Sequence, residues 1–175
     1  LPFQAPHFVM DMLATHRGEP ELLTTLDLRM QRLLERHVRS YIERQKRIGI
    51  TNAAAMLVDT RDMGVKAAVG SADFFNDDIA GQVNALTAKR SPGSTLKPFI
   101  YALAIDQGLI HPFTVLKDSA QSFGAYTPEN ADGRFGGPLI ATEALNRSRN
   151  VPAIALAAQL GKPSLYDFLR AAGVS

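Results

Sequence analysis

The sequence predicts an α+β fold, and three observations carry that reading. A long amphipathic stretch follows Asp27, two apolar runs at 53–58 and 65–69 flank a turn-rich hexapeptide, and short helical runs alternate with Gly and Pro in the second half. The 175 residues suit one domain of ordinary size, and 46% hydrophobic with 21% charged residues excludes a disordered or collagen-like chain. A net charge of +2 does not by itself call for nucleic acid. Without cysteine there is no disulfide framework, thiolate zinc site or cysteine nucleophile. No apolar run approaches the roughly 18 residues of a membrane helix and no signal peptide opens the chain, so any membrane anchor is expected outside these residues.

Residues 1–21 contain Pro2, Pro6, Gly18 and Pro20 without a regular period, and read as an extended lead-in or linker; residues 22–175 read as the domain proper. The β-prone run Leu22 to Leu26 reads as a strand, and Asp27 stands where a helix N-cap accepts a backbone N–H. In the helix that follows, Met30, Leu33, Leu34, Val38, Tyr41 and Ile42 form the buried stripe. Its other face carries Arg29, Arg32, Arg36, Arg39, Arg44, Lys46 and Arg47 against Glu35 and Glu43, and reads as a solvated face.

Gly49 ends that helix, and the runs at 53–58 and 65–69 then predict an antiparallel hairpin. Residues 71–89 read as a surface loop. After Pro92 and Gly93, a helix is expected from Ser94 to Gln107, with Leu96, Phe99, Ile100, Leu103 and Ala104 on one face and Gly108 as its stop. Residues 109–138 form a long irregular stretch, of the kind that usually carries function. Short helices are expected at 142–147 and 152–160, and another starts at Pro163-Ser164 and closes at Gly173.

The sharpest chemical feature is Arg90-Ser-Pro-Gly-Ser94-Thr-Leu-Lys97-Pro-Phe99. Three residues apart on one helical turn, the Ser94 hydroxyl and the Lys97 amine are expected to converge. A serine needs a neighbouring base to become a nucleophile, and a lysine serves as that base once burial or nearby cations lower its pKa. Taken alone, Ser-x-x-Lys is a weak pattern: chance gives about 0.3 matches in a chain of this composition, and a capping serine with an exposed lysine explains it as well. A second polar triplet, Ser148-Arg149-Asn150, lies between two helical runs, where it is able to aim a hydroxyl and a carboxamide into a cleft. Its plain alternative is a helix stop followed by a cap. His7, His16, His37 and His111 have no metal-ligand spacing, and Asp73, Asp77 and Asp78 lack the spacing of a calcium loop.

Together, Ser94 to Lys97 in its Pro-Gly and Pro-Phe context and Ser148 to Asn150 before Val-Pro-Ala resemble the transpeptidase domain of class A penicillin-binding proteins. The likeness extends to Ala5-Pro-His-Phe8, Leu23-Thr-Thr-Leu-Asp27, Gly108-Leu-Ile-His-Pro112, Tyr126-Thr-Pro-Glu-Asn130 and Gly137-Pro138 before Glu143-Ala-Leu145. The resemblance implies the penicillin-recognising serine transpeptidase fold, related to β-lactamases, with a helical subdomain beside an antiparallel sheet. It implies that Ser94 is acylated, that Lys97 is the base, and that Ser148 and Asn150 relay protons and bind the substrate amide. The implied partners are peptidoglycan stem peptides ending in D-alanyl-D-alanine, β-lactam antibiotics and an upstream glycosyltransferase domain, in the periplasm and with no cofactor. A D,D-carboxypeptidase, a β-lactamase-type hydrolase and a non-catalytic peptidoglycan- or β-lactam-binding module are the alternatives.

The family's third motif, Lys-Thr-Gly or Lys-Ser-Gly, does not occur in these residues. The expectation is therefore the N-terminal part of the domain, with the sheet incomplete at the C-terminus and weak or absent penicillin labelling of these residues alone.

Overall fold

The computed structural model describes residues 3–174, which divide into two compact units, the first ending at Arg90 and the second beginning at Ser91. Among the described residues no helix is long and apolar enough to cross a membrane.

In the first unit the lead-in is helical rather than extended: α1 spans Pro6–Thr15. Pro6 opens this helix instead of breaking it, because a proline in the first turn gives up an N–H that has no partner there anyway. His7 is buried, donating from Nε2 to the Gly81 carbonyl at 2.9 Å, with the Phe74 ring edge-on at 5.0 Å. Gly81 must be glycine at that crowded point, since a Cβ would collide with the carbonyls of Asp73, Phe74 and Asn76. Residues 22–26 do not form a strand. They run beside the hairpin, where Thr25 Oγ1 donates to the Val65 carbonyl and the next residue, Asp27, donates from its backbone N to the Lys66 carbonyl, both at 2.9 Å.

Asp27 caps α2, Leu28–Gln45, accepting from the backbone N–H of Arg29 at 2.8 Å and Met30 at 3.0 Å. The buried face of α2 is Gln31, Val38 and Ile42, while Met30, Leu33 and Tyr41 of the expected stripe are exposed. Gln31 displaces Met30 from the core because its amide has backbone work there. Its Oε1 accepts from Ala68 N at 2.8 Å and its Nε2 donates to Ala68 O at 3.0 Å, so a side chain completes the ladder of a strand. That strand is β2, Val65–Val69, paired antiparallel with β1, Ala55–Val58, as the hairpin pattern predicts. Residues 71–89 form a loop containing one 3-10 turn at Asp77–Ile79.

In the second unit a 3-10 turn, Gly93–Leu96, precedes α3, Lys97–Asp106, so the α-helix starts three residues later than the pattern suggests. The stretch 109–138 is not wholly irregular. It contains β3, Val115–Asp118, which pairs antiparallel with β4, Gly137–Ile140, placing Asp118 opposite Gly137. Then come α4, Ala141–Asn146, α5, Asn150–Gln159, and α6, Leu165–Ala171, the last opened by a capping box between Ser164 and Asp167. Ile100, Tyr101 and Ala104 of α3 pack with Leu139, Ala141, Ala144, Ala153 and Leu156 into one core. The small alanines on α4 and α5 allow these short helices to approach α3 closely.

Candidate active site

All four residues singled out in the two motifs lie in the second unit, at the N-terminal end of α3 and in the turn between α4 and α5. Ser94 sits in the 3-10 turn, exposed, and is not a helix cap. In a 3-10 turn residues three apart eclipse, which puts Ser94 and Lys97 on one side. Sharing a side does not make them a hydrogen-bonded pair, for the Lys97 amine bonds elsewhere. Lys97 is only 7% exposed, and its amine reaches across to the second motif. Nζ donates to the Ser148 carbonyl, to Ser148 Oγ at 3.0 Å and to Asn150 Oδ1 at 2.6 Å. These three acceptors take all three protons of an ammonium.

Burial pushes the Lys97 amine below its ordinary value, and the Arg149 guanidinium adds to the effect. When the amine gives up a proton, one of its three partners must accommodate a lone pair. Neither the Ser148 carbonyl nor Asn150 Oδ1 has a proton to donate. Of the three acceptors, only the Ser148 hydroxyl is able to turn and donate in return. A hydroxyl approaching from Ser94 is the other group that suits a free lone pair.

The local backbone explains how Ser148 comes to this position. At the end of α4 the Ser148 N–H bonds to the Leu145 carbonyl and the Arg149 N–H to the Ala144 carbonyl, both 2.9 Å, with Ser148 left-handed at φ 53°. This is the Schellman stop, at a position where glycine is the usual residue. A serine there is strained by about 1–2 kcal/mol, and the strained residue is the one whose hydroxyl meets Lys97.

Behind the turn stands a network that the sequence reading did not pick out. Asp118, at the end of β3, is fully buried and accepts from Asn130 Nδ2 at 2.8 Å, Gly136 N at 2.8 Å and Arg149 Nε at 2.7 Å. Burial alone would raise its pKa, but these donors prevail and hold the carboxyl below its ordinary value. Arg149 also pairs with Asp132 at 3.0 Å and bonds to the Arg134 carbonyl. Asn130 Oδ1 accepts the backbone N–H of Asn150 at 2.7 Å, and Asn150 Nδ2 donates to the Glu129 carbonyl at 2.7 Å. The one available signal was Tyr126 to Asn130, quoted above for its likeness alone. Tyr101, one turn on from Lys97 along α3, has its hydroxyl buried without a hydrogen-bond partner among the described residues.

Ser94, Ser148 and Asn150 line one cleft of about 240 Å³, whose other walls are Asn130, Ala131, Asp132, Arg147 and Arg149. Phe123 and Tyr126 pair with each other in a bridge of their own loop.

The family model described as penicillin binding protein transpeptidase domain matches residues 53–175. The chain belongs to this family. It is 39% identical to penicillin-binding protein 1C of Escherichia coli K12 over 175 residues, covering 99% of this chain and 22% of that protein. To penicillin-binding protein 1F of Bacillus subtilis it is 34% identical over 122 residues, 69% of this chain and 16% of the relative. The chain thus spans less than a quarter of the length of these relatives. Among solved structures, the penicillin-binding protein PonA1 from Mycobacterium tuberculosis superposes with a TM-score of 0.73 at 20% identity, over 97% of this chain and 44% of that one. That protein is also known in complex with penicillin V. The penicillin-binding transpeptidase fold expected from the motifs is therefore the fold of this chain.

Proposed function

We propose that this chain carries the acylation site of a peptidoglycan D,D-transpeptidase, with Ser94 as nucleophile and Lys97 as its base. What supports it most is the Lys97 amine, buried and spent wholly on Ser148 and Asn150, beside an exposed Ser94 that shares their cleft. Ser94 Oγ attacks the carbonyl of a terminal D-alanyl-D-alanine, and its proton passes to Lys97 Nζ. The C–N bond then breaks and D-alanine leaves with that proton on its nitrogen. An amine of a neighbouring stem next attacks the ester, loses its proton through the same pair, and frees Ser94. Ser148 follows the proton by reversing its hydrogen bond to Nζ, and Asn150 holds the substrate amide. A β-lactam enters by the same first step and remains as a stable acyl-enzyme. Such a site acts on the extracytoplasmic side of the membrane, where the stem peptides are, and the proposed full protein pairs it with a glycosyltransferase domain.

A labelled penicillin is the test, applied to the chain and to a fusion that supplies a downstream segment bearing Lys-Thr-Gly. Peptide mapping should place the label within residues 90–97. Label on Ser91 or Ser148, or none in the fusion, would sink the assignment.

A further inference from the structure

We infer that Asn130, braced by Asp118, is a positioning residue that holds the Ser148–Asn150 turn at the reach of the Lys97 amine. The inference rests on the acyl-transfer reading above but adds a residue outside both motifs.

The Ser148–Asn150 turn needs an external hold. Ser148 is left-handed and strained, so its intrinsic preference is to relax away from this shape, and Arg149 beside it is ordinary extended backbone that does nothing to hold it. The N–H of Asn150 opens α5, where a helix has no carbonyl of its own to offer, and Arg149 provides no side-chain cap. Asn130 takes that place from another part of the chain. Its Oδ1 accepts the Asn150 N–H at 2.7 Å, while its Nδ2 divides between Asp118 Oδ1 at 2.8 Å and the Arg134 carbonyl at 2.9 Å. Three bonds thus fix both ends of a carboxamide that is only 5% exposed. The adjoining Glu129 carbonyl receives Asn150 Nδ2, which orients the amide so that Oδ1 faces Lys97.

Asp118 closes the frame from the other side. Its second oxygen receives Arg149 Nε, so the residue between Ser148 and Asn150 is tied to the same carboxylate that braces Asn130. Serine, arginine and asparagine of the second motif are therefore each accounted for: Ser148 and Asn150 meet the amine, and Arg149 anchors the turn. Removing Asn130 leaves Asn150 N–H and Asp118 Oδ1 without their partners and frees the turn to relax. A shift of about 1 Å at such a turn is enough to lower the rate of a positioned reaction by about two orders of magnitude.

The test takes the Lys-Thr-Gly fusion as the parent and compares it with its Asn130→Ala and Asn130→Asp variants, by amide hydrogen exchange and by the rate of labelling with a fluorescent penicillin at saturation. Asn130→Ala should speed exchange of the Asn150 amide and its neighbours by at least about tenfold while amides of α3 exchange as before. The acylation rate constant should fall by about 10- to 100-fold. Asn130→Asp keeps the acceptor for Asn150 N–H but sets a second carboxylate against Asp118, within reach of Arg149 and the Arg134 carbonyl. Its loss should lessen, relative to the parent at the same pH, as the pH falls toward about 5 and the new carboxyl regains a proton to donate. A role in stability alone would instead speed exchange in α3 along with the Asn150 amide. Wild-type exchange at Asn150 in Asn130→Ala, or equal acceleration through α3, would overturn the inference, and Asn130→Asp decides the matter if Asn130→Ala does not fold. If the parent fusion carrying the Lys-Thr-Gly segment is not labelled at Ser94, it is the functional reading that fails, and the exchange pattern alone still decides the role of Asn130.

Discussion

Ser148 sets two demands against each other at a single residue. Its backbone occupies the left-handed stop of α4, which favours glycine, while its hydroxyl is one of three acceptors on Lys97. Ser148→Gly relieves about 1–2 kcal/mol of strain and gives up one hydrogen bond to a charged amine, worth about the same. Thermal unfolding should shift by only a few degrees, yet acylation by penicillin should slow by at least about tenfold, since the hydroxyl that reverses toward the free amine is gone. A variant that acylates at the parent rate would mean that the serine is present only as a helix stop. Lys97→Arg asks the complementary question. A guanidinium stays charged and cannot take the proton, so acylation should fall by about 100-fold or more while the fold survives. At this scale the two motifs were legible because each pairs side chains of matching chemistry at fixed spacing. Lys97 choosing Ser148 and Asn150 over Ser94 was not, because that depends on a turn 51 residues away.

At the scale of elements, the first unit depends on one polar side chain in an apolar interface. Gln31 bridges α2 to β2 through both backbone groups of Ala68 and is 1% exposed. Gln31→Leu keeps most of the volume but strands a buried N–H and a buried carbonyl, each costing about 1–3 kcal/mol. Urea unfolding followed in the hairpin should show a loss of about 2–4 kcal/mol; a loss below about 0.5 kcal/mol would mean that water reaches Ala68. The same residue explains what the pattern could not supply. Helical period located α2 and its cap, and two apolar runs located β1 and β2, because these are local signals. A stripe of Met30, Leu33 and Tyr41 points outward because a polar residue with two backbone partners took the inner position. β3 and β4 escaped notice for a related reason: each has four residues, and β4 begins Gly-Pro, so their pairing at Asp118 and Gly137 has no local signature. α1 was hidden behind Pro6, a residue that starts helices as readily as it stops them.

For the molecule as a whole, acid should not act evenly on its two units. Carboxyl groups held low are found in both: Asp59, drawn down to about 2 by Arg61, and Asp62 in the first, Asp132 and Asp167 in the second. These four are exposed or partly exposed, and their ion pairs are of the kind that contributes little. Asp118 differs because it is fully buried and carries Asn130, Gly136 and Arg149 together. A carboxyl whose folded pKa lies below its unfolded value of about 3.9 adds stability above that value, and loses it as pH falls through the folded pKa. Protonating Asp118 also leaves the largely buried Arg149 without its closest counter-charge. Below about pH 4, hydrogen exchange should therefore rise first in α3 and α5, while β1 and β2 remain protected. Lys97 acts in the same direction at the other end of the scale. Its lowered pKa means that the unfolded chain binds that proton more tightly, so the second unit should gain stability as the pH rises toward about 10. Asp118→Asn should lower the stability of the second unit near neutral pH and reduce its acid sensitivity, so that the gap between variant and parent narrows below about pH 4. If the hairpin opens first in acid, or the gap stays constant with pH, the buried carboxylate is not what sets the acid limit of this protein.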